Sequence, residues 1–399
     1  MEVFYTSPWV PPEWIKAHGL EPRGIWLARD FACEPLPLAA GVCAFANAAV
    51  RLAERQAGSA VIFTTHCDQL RRGFDTVVGA AAARVFLFNL PVTWQTPVAE
   101  RIYADELRRL GRFLVGLGGH APAPGDVAEI MTQYSQARQH LLEAAAWCPA
   151  RAYAEAVAQF HLDGSVSLPR ERGCPQPQQY GQQHGDDILP RAATSIAAAA
   201  GDSRAPGAGS IPLALVGGPL SQSQMALLDA IEKAGGRIVL NATEAGERSL
   251  WPASPLVQDA IKLWAGPPER GGDSLPPQIQ ACGAGDKLSP PREAELDAAV
   301  PLERLQENAL DLLARGYLPN CVDVFQRPNT RLYDWLRKRL SARQVRGIVL
   351  WHYVGCDLWR AEAQPMREAF GLPVLLLDAD EAAPNRNIGR LEAFLESLR

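Results

Sequence analysis

The chain predicts an α/β fold made of two doubly wound, Rossmann- or flavodoxin-like parallel-sheet domains with extra helices. Three observations point there. Short buried runs rich in β-branched residues alternate with helical runs in both halves. The second half restarts as a complete strand–helix–strand unit. Between the halves, residues 164–209 lose all periodicity and become rich in Gln, Pro, Gly, Ala and Ser, as a surface insertion or linker does. The predicted organisation is therefore 1–163, 164–209 and 210–399.

The elements follow in order. P-P-E-W-I-K-A-H-G-L reads as a short helix with Pro12 in its first turn and Gly19 at its end. G-I-W-L, from Gly24, reads as a brief strand, and V-C-A-F-A-N-A-A-V-R-L-A-E-R, from Val42, as a helix. S-A-V-I-F-T-T is a buried strand, and A-R-V-F-L-F-N-L-P is another that Pro91 ends. Three helical runs follow. The first starts at Thr96 as N-cap with Pro97 at the first position, the second has Asp126 near its start, and the third runs from Ala150 to Phe160.

In the second half, P-L-A-L-V-G-G-P-L is a strand and glycine turn. Ser221 to Gly235 is a helix capped by Ser221, and R-I-V-L-N-A is the next strand. A second irregular stretch spans 266–291. Helices at 302–316 and 329–340, the strand V-R-G-I-V-L-W, a helix through P-M-R-E-A-F-G, the strand P-V-L-L-L-D-A-D and a terminal helix complete the sheet.

The 399 residues suit two or three domains, and 47% hydrophobic content supplies a sizeable core. A net charge of −5 with dispersed arginines argues against a nucleic-acid partner. No run of about 18 apolar residues suggests a membrane span. The start M-E-V-F-Y-T-S-P lacks the basic and apolar regions of a secretory signal, so the expected location is cytoplasmic. In that reducing setting the eight cysteines point to metal or catalysis rather than disulfides.

Cys67 follows the strand V-I-F-T-T, Cys356 stands just beyond V-R-G-I-V-L-W, and Cys43 precedes a helix. Open parallel sheets bind ligands beyond the carboxyl ends of their strands, and helix N-termini favour thiolates. Three such thiolates can hold an iron–sulfur cluster, although their spacing alone is equally compatible with three buried apolar cysteines. Cys148 and Cys33 read as buried packing residues, Cys174 and Cys282 fall in irregular segments, and Cys321 is ambiguous. His66 and His352 lie near two of the cysteines. They read either as polar side chains shaping the sheet edge or as metal ligands or proton donors. Asp68 and Asp357 read as helix caps, G-G-P-L as a strand-to-helix turn or part of a substrate site, and Trp94, Tyr353 and Trp359 as core or pocket wall.

Six phrases in register carry a resemblance. They are P-P-E-W-I-K-A-H-G-L-E-P (Pro11 to Pro22), Cys43 before a helix, C-D-Q-L-R-R (Cys67 to Arg72), V-G-G-P-L followed by G-G-R-I-V-L, C-D-L-W from Cys356 with G-L-P-V-L-L-L-D-A-D, and R-L-E-A-F-L-E (Arg390 to Glu396). Together they resemble the 2-hydroxyacyl-CoA dehydratase D-component family, which also holds the benzoyl-CoA reductase cluster-binding subunits. The departures are His18 in the opening phrase, the length of the 164–209 insertion, and N-A-T-E-A-G-E-R, which lacks a cysteine that some relatives carry.

The resemblance implies one [4Fe-4S] cluster held by Cys43, Cys67 and Cys356, and a dimer formed with a paralogous subunit or with itself. It also implies a separate ATP-dependent activator, itself an iron–sulfur protein. The substrate would be an acyl-CoA, either dehydrated through a ketyl radical anion or reduced at an aromatic ring. One branch of the family carries a double-cubane cluster and reduces small molecules. The other readings are a non-catalytic partner subunit with a structural cluster or zinc, and an electron-transfer module.

Overall fold

The computed structural model describes residues 1–25, 42–55, 58–79, 84–169, 210–251, 302–379 and 384–399. Cys33, Cys174, Cys282, most of the 164–209 insertion and the 266–291 stretch lie outside them.

Two four-stranded, all-parallel sheets flanked by helices make a two-domain α/β fold. The N-terminal half runs β1 (Glu2–Tyr5), α1 (Pro12–Ala17), β2 (Glu21–Gly24), α2 (Ala44–Arg55), β3 (Ala60–Thr64), α3 (Asp68–Val77) and β4 (Val85–Phe88). The long helices α4 (Pro97–Gly116), α5 (Pro124–Ala144) and α6 (Ala150–Asp163) follow. The C-terminal half runs β5 (Ile211–Gly217), α7 (Ala226–Lys233), β6 (Gly236–Ala242), α8 (Leu302–Tyr317), α9 (Thr330–Ala342) and β7 (Gly347–His352). It ends with α10 (Asp357–Ala361), α11 (Ala363–Phe370), β8 (Val374–Asp378) and α12 (Pro384–Ser397).

The sheet orders are β2-β1-β3-β4 and β6-β5-β7-β8. Both are second, first, third, fourth in chain order, so the two halves share one topology. Order reverses between the first and third strands of each, the switch point where such sheets bind ligands. Every residue of β3 and of β7 is buried, as central parallel strands covered on both faces require. Alternate side chains of β5 serve different cores. Leu213 and Leu215 join the core shared with the N-terminal half, whereas Ala214 and Val216 pack beneath α9.

Two elements differ from the sequence-based expectation. Glu2–Tyr5 forms β1, although four residues at the start of a chain carry too short a period to mark a strand. The second strand is Glu21–Gly24, three residues before G-I-W-L. It holds Pro22 and Arg23, which an edge strand tolerates. The expected caps also shift. Thr96 does cap α4, its hydroxyl accepting from the Ala99 amide at 3.2 Å. Ser221 instead precedes a 3₁₀ turn (Ser223–Met225) that leads into α7.

The halves are tied by buried polar contacts. Arg138 of α5 pairs with Glu13 of α1 at 2.6 Å and donates to the Tyr317 hydroxyl of α8, while that hydroxyl donates to Glu13. His161 of α6 bridges toward the Ser249 hydroxyl at 3.0 Å. His18, the departure in the opening phrase, is buried with its Nδ1 2.7 Å from the Trp14 carbonyl.

Candidate functional site

Cys67 is the N-cap of α3, and Cys356 is the N-cap of α10. They occupy equivalent places, each just past the third strand of its sheet. Cys43 immediately precedes α2. The three cysteines line one cavity, together with Phe45, His66, Pro219, Glu244, Asp323, Tyr353 and Trp359. Sulfurs from positions as far apart as 43 and 356 are thus brought together at the carboxyl edges of both sheets. In α3 and α10 the cap is the cysteine itself. Asp68 and Asp357 stand in the first turns, where a carboxylate complements the positive end of the helix.

The amides at these helix starts face the sulfurs. The Ala46 N–H donates to Cys43 Sγ at 3.5 Å. Amides of Gln69 and Leu70 favour the thiolate of Cys67, and that of Trp359 favours the thiolate of Cys356. Burial opposes them and wins. It pushes the Cys43 and Cys67 thiols up, Cys67 further because Cys356 and Cys43 lie beside it, and it pushes Cys356 up to about 11. In the metal-free protein the cavity is therefore lined by neutral thiols, and metal binding would displace their protons.

The wall behind them is charged. Arg248 is buried and donates to the carbonyl oxygens of Ala242 (3.1 Å), Val322 (3.2 Å) and Gly217 (3.0 Å) and to the Asp323 carboxylate. Its Nη2 also stands 3.5 Å from Glu244 Oε1, and its guanidinium lies 4.9 Å from the centre of the Trp359 ring. One cation thus faces two buried carboxyl groups. Burial pushes Glu244 up to about 7, against the pull of Arg248 and with a push from Asp323. Its Oε2 is buried and has no hydrogen-bond partner among the described residues.

His66 and His352 part company. His66 lines the cavity, its Nδ1 2.6 Å from the Thr64 hydroxyl, and burial pushes it down to about 4, so the ring is neutral at physiological pH. His352 is the last residue of β7 and does not line the cavity. It stands opposite Asp378 in the sheet register, with Nε2 2.7 Å from Asp378 Oδ1. Tyr353 and Trp359 wall the cavity. Trp94 lies elsewhere, donating to the Pro328 carbonyl at 2.9 Å beneath Arg331. Cys321 is buried and outside the cavity. G-G-P-L contributes Pro219, and its turn demands glycine: Gly217 has φ +148, and a Cβ there would sit 1.9 Å from the Trp351 carbonyl oxygen.

Sequence reasoning missed Glu244, Arg248 and Asp323. Glu244 had a signal, since it stands two residues past the carboxyl end of β6. Asp323 and Arg248 had none, because their pairing spans 75 positions.

Three cysteine thiols on one cavity are the donor type that an iron–sulfur cluster would take. Among the described residues, no group of three or more His, Cys, Asp and Glu side chains closes on one ion-sized position.

No helix among the described residues is long and apolar enough to cross a membrane. The 2-hydroxyglutaryl-CoA dehydratase D-component profile matches residues 9–262 and 258–398. No curated protein matches the chain. The chain belongs to the 2-hydroxyglutaryl-CoA dehydratase D-component family, and so is a component of a 2-hydroxyacyl-CoA dehydratase-type system.

Proposed function

We propose that the chain is the iron–sulfur subunit of an ATP-activated, low-potential enzyme acting on an acyl-CoA, by 2-hydroxyacyl-CoA dehydration or aromatic acyl-CoA reduction. One observation carries the reading: Cys43, Cys67 and Cys356 open into one cavity, each at the start of a helix. These three residues would hold a [4Fe-4S] cluster by three of its irons. When bound, the cluster would supply single electrons at low potential and one iron free of protein sulfur.

The chain's own residues prepare that site. Helix-start amides stabilise negative charge on the sulfurs. Phe45, Leu70, Tyr353 and Trp359 give the cavity apolar walls. Glu244, its carboxyl raised to about 7, can carry a proton beside it, and neutral His66 offers a second polar group for a substrate oxygen. Arg248 keeps this buried corner from accumulating net negative charge. The electrons would come from a separate ATP-dependent iron–sulfur activator, and the working unit would be a dimer with a paralogue or with itself.

The test is anaerobic purification followed by iron and acid-labile sulfide analysis and electron paramagnetic resonance. The expected result is a brown, oxygen-sensitive protein with about four irons per chain. Cys356→Ser should lose most of that iron while the chain stays folded. Full iron retention in the variant would reject the ligand set. Turnover with an activator, ATP and a reductant then separates an enzyme subunit from a bystander.

A further inference from the structure

A second cavity, of about 320 Å³, lies in the C-terminal half and is lined from α7, β7, α12 and the residue after β8. Its described lining carries no charged side chain, and Leu227, Ala230, Trp351, Ala379, Ile388 and Leu391 make most of it. Trp351 stands near the carboxyl end of β7, Ala379 follows β8, and Gln224 follows β5. The cavity is therefore on the sheet edge where open α/β folds take ligands, and its size suits a small one.

Gln224 also lines it and is 8% exposed. Its Oε1 accepts from the Ser221 amide at 3.0 Å and from the Tyr353 hydroxyl at 2.8 Å. The Ser221 N–H can only donate, so these contacts fix which end of the amide is oxygen. The buried Nε2 then has no acceptor among the described residues. A buried donor left without an acceptor is costly, and native chains keep few of them.

The wall toward the cysteines is one hydrogen bond thick in two places. Tyr353, bonded to Gln224, lines the cysteine cavity, as does Pro219, whose carbonyl accepts from Trp351 Nε1 at 3.2 Å.

We propose that this second cavity holds the hydrocarbon part of the acyl group, with the acyl carbonyl oxygen accepting from Gln224 Nε2. The inference rests on the acyl-thioester reading above and adds where the chain lies. The described lining offers no cation to the phosphates of coenzyme A, which stay outside. A hydrocarbon in the cavity would have its carbonyl end at the wall shared with the cysteines.

The test uses the full-length Cys356→Ser protein, so that cluster loading plays no part. Calorimetric titration compares acetyl-CoA with hexanoyl-CoA, and ligand-observed nuclear magnetic resonance follows hexanamide. Four added methylenes should tighten binding at least about tenfold, with a more negative heat-capacity change. Ala230→Phe should remove that gain, and Ala226→Phe, at an exposed position on the same helix, should do so independently. If hexanamide binds and Ala230→Phe displaces it while no thioester binds, the cavity assignment stands and the thioester reading falls. Equal affinity for the two thioesters with no hexanamide binding would overturn the proposal. So would a chain-length gain that neither phenylalanine variant disturbs.

Discussion

Glu244→Gln isolates the electrostatics of the cysteine cavity in one atom. Burial raises the Glu244 carboxyl from the usual 4.5 to about 7, and Arg248 offsets only part of the effect. Because the folded value lies above the unfolded one, the linked stability is fully present below about pH 4.5. It is lost as pH rises through about 7. The separation of the two values, at about 1.36 kcal/mol per tenfold change in proton affinity, corresponds to roughly 3 kcal/mol. Glutamine keeps an oxygen for Arg248 and stays neutral throughout, so it mimics the protonated acid. The variant should match the native protein near pH 4.5 and exceed it by up to about 3 kcal/mol above pH 7. Urea denaturation of metal-free protein from pH 4.5 to 8 measures the difference. Parallel curves for the two proteins, with no widening toward neutral pH, would refute the assignment of a protonated carboxyl to this corner.

Arg248→Met should destabilise the chain by about 3–5 kcal/mol, because it strands two buried carboxyl groups and three carbonyl oxygens; a urea midpoint close to native would argue that water reaches this network. In metal-free protein at pH 8, Cys356 at about 11 should react with iodoacetamide on the order of a hundredfold slower than a free cysteine. The rate should climb until about pH 11, and mass spectrometry of a Cys43→Ser, Cys67→Ser background reads it directly. Gly217→Ala should cost at least about 1–3 kcal/mol, since its Cβ meets the Trp351 carbonyl oxygen and φ is +148; a thermal midpoint equal to native would mean that the turn relaxes freely.

Much of this molecule was legible because its signals are local. β3, β4, β5 and β7 announce themselves as apolar runs bounded by turns, and the cysteines stand just beyond two of them. The reason His66 faces the cavity and His352 does not is only partly local. His66 lies past the end of β3, free of the sheet, whereas His352 still belongs to β7 and is matched by a strand partner, Asp378, that no local pattern names. β2 was misplaced by a few residues because an edge strand obeys weaker rules than a central one. The Arg248–Asp323–Glu244 corner was invisible for a different reason. Its members come from the end of β6, a 3₁₀ turn and a loop after α8, and only the folded topology makes them neighbours.

Cys67 and Cys356 hold the same station in two sheets of the same strand order, so neither half owns a complete binding site. Anything that ligates both sulfurs becomes a clasp across the molecule. Losing it would then loosen the grip of one half on the other, and a hinge movement too small to disturb either sheet would suffice to eject the cargo. Were a cofactor seated there, its retention and the docking of the two halves would be coupled.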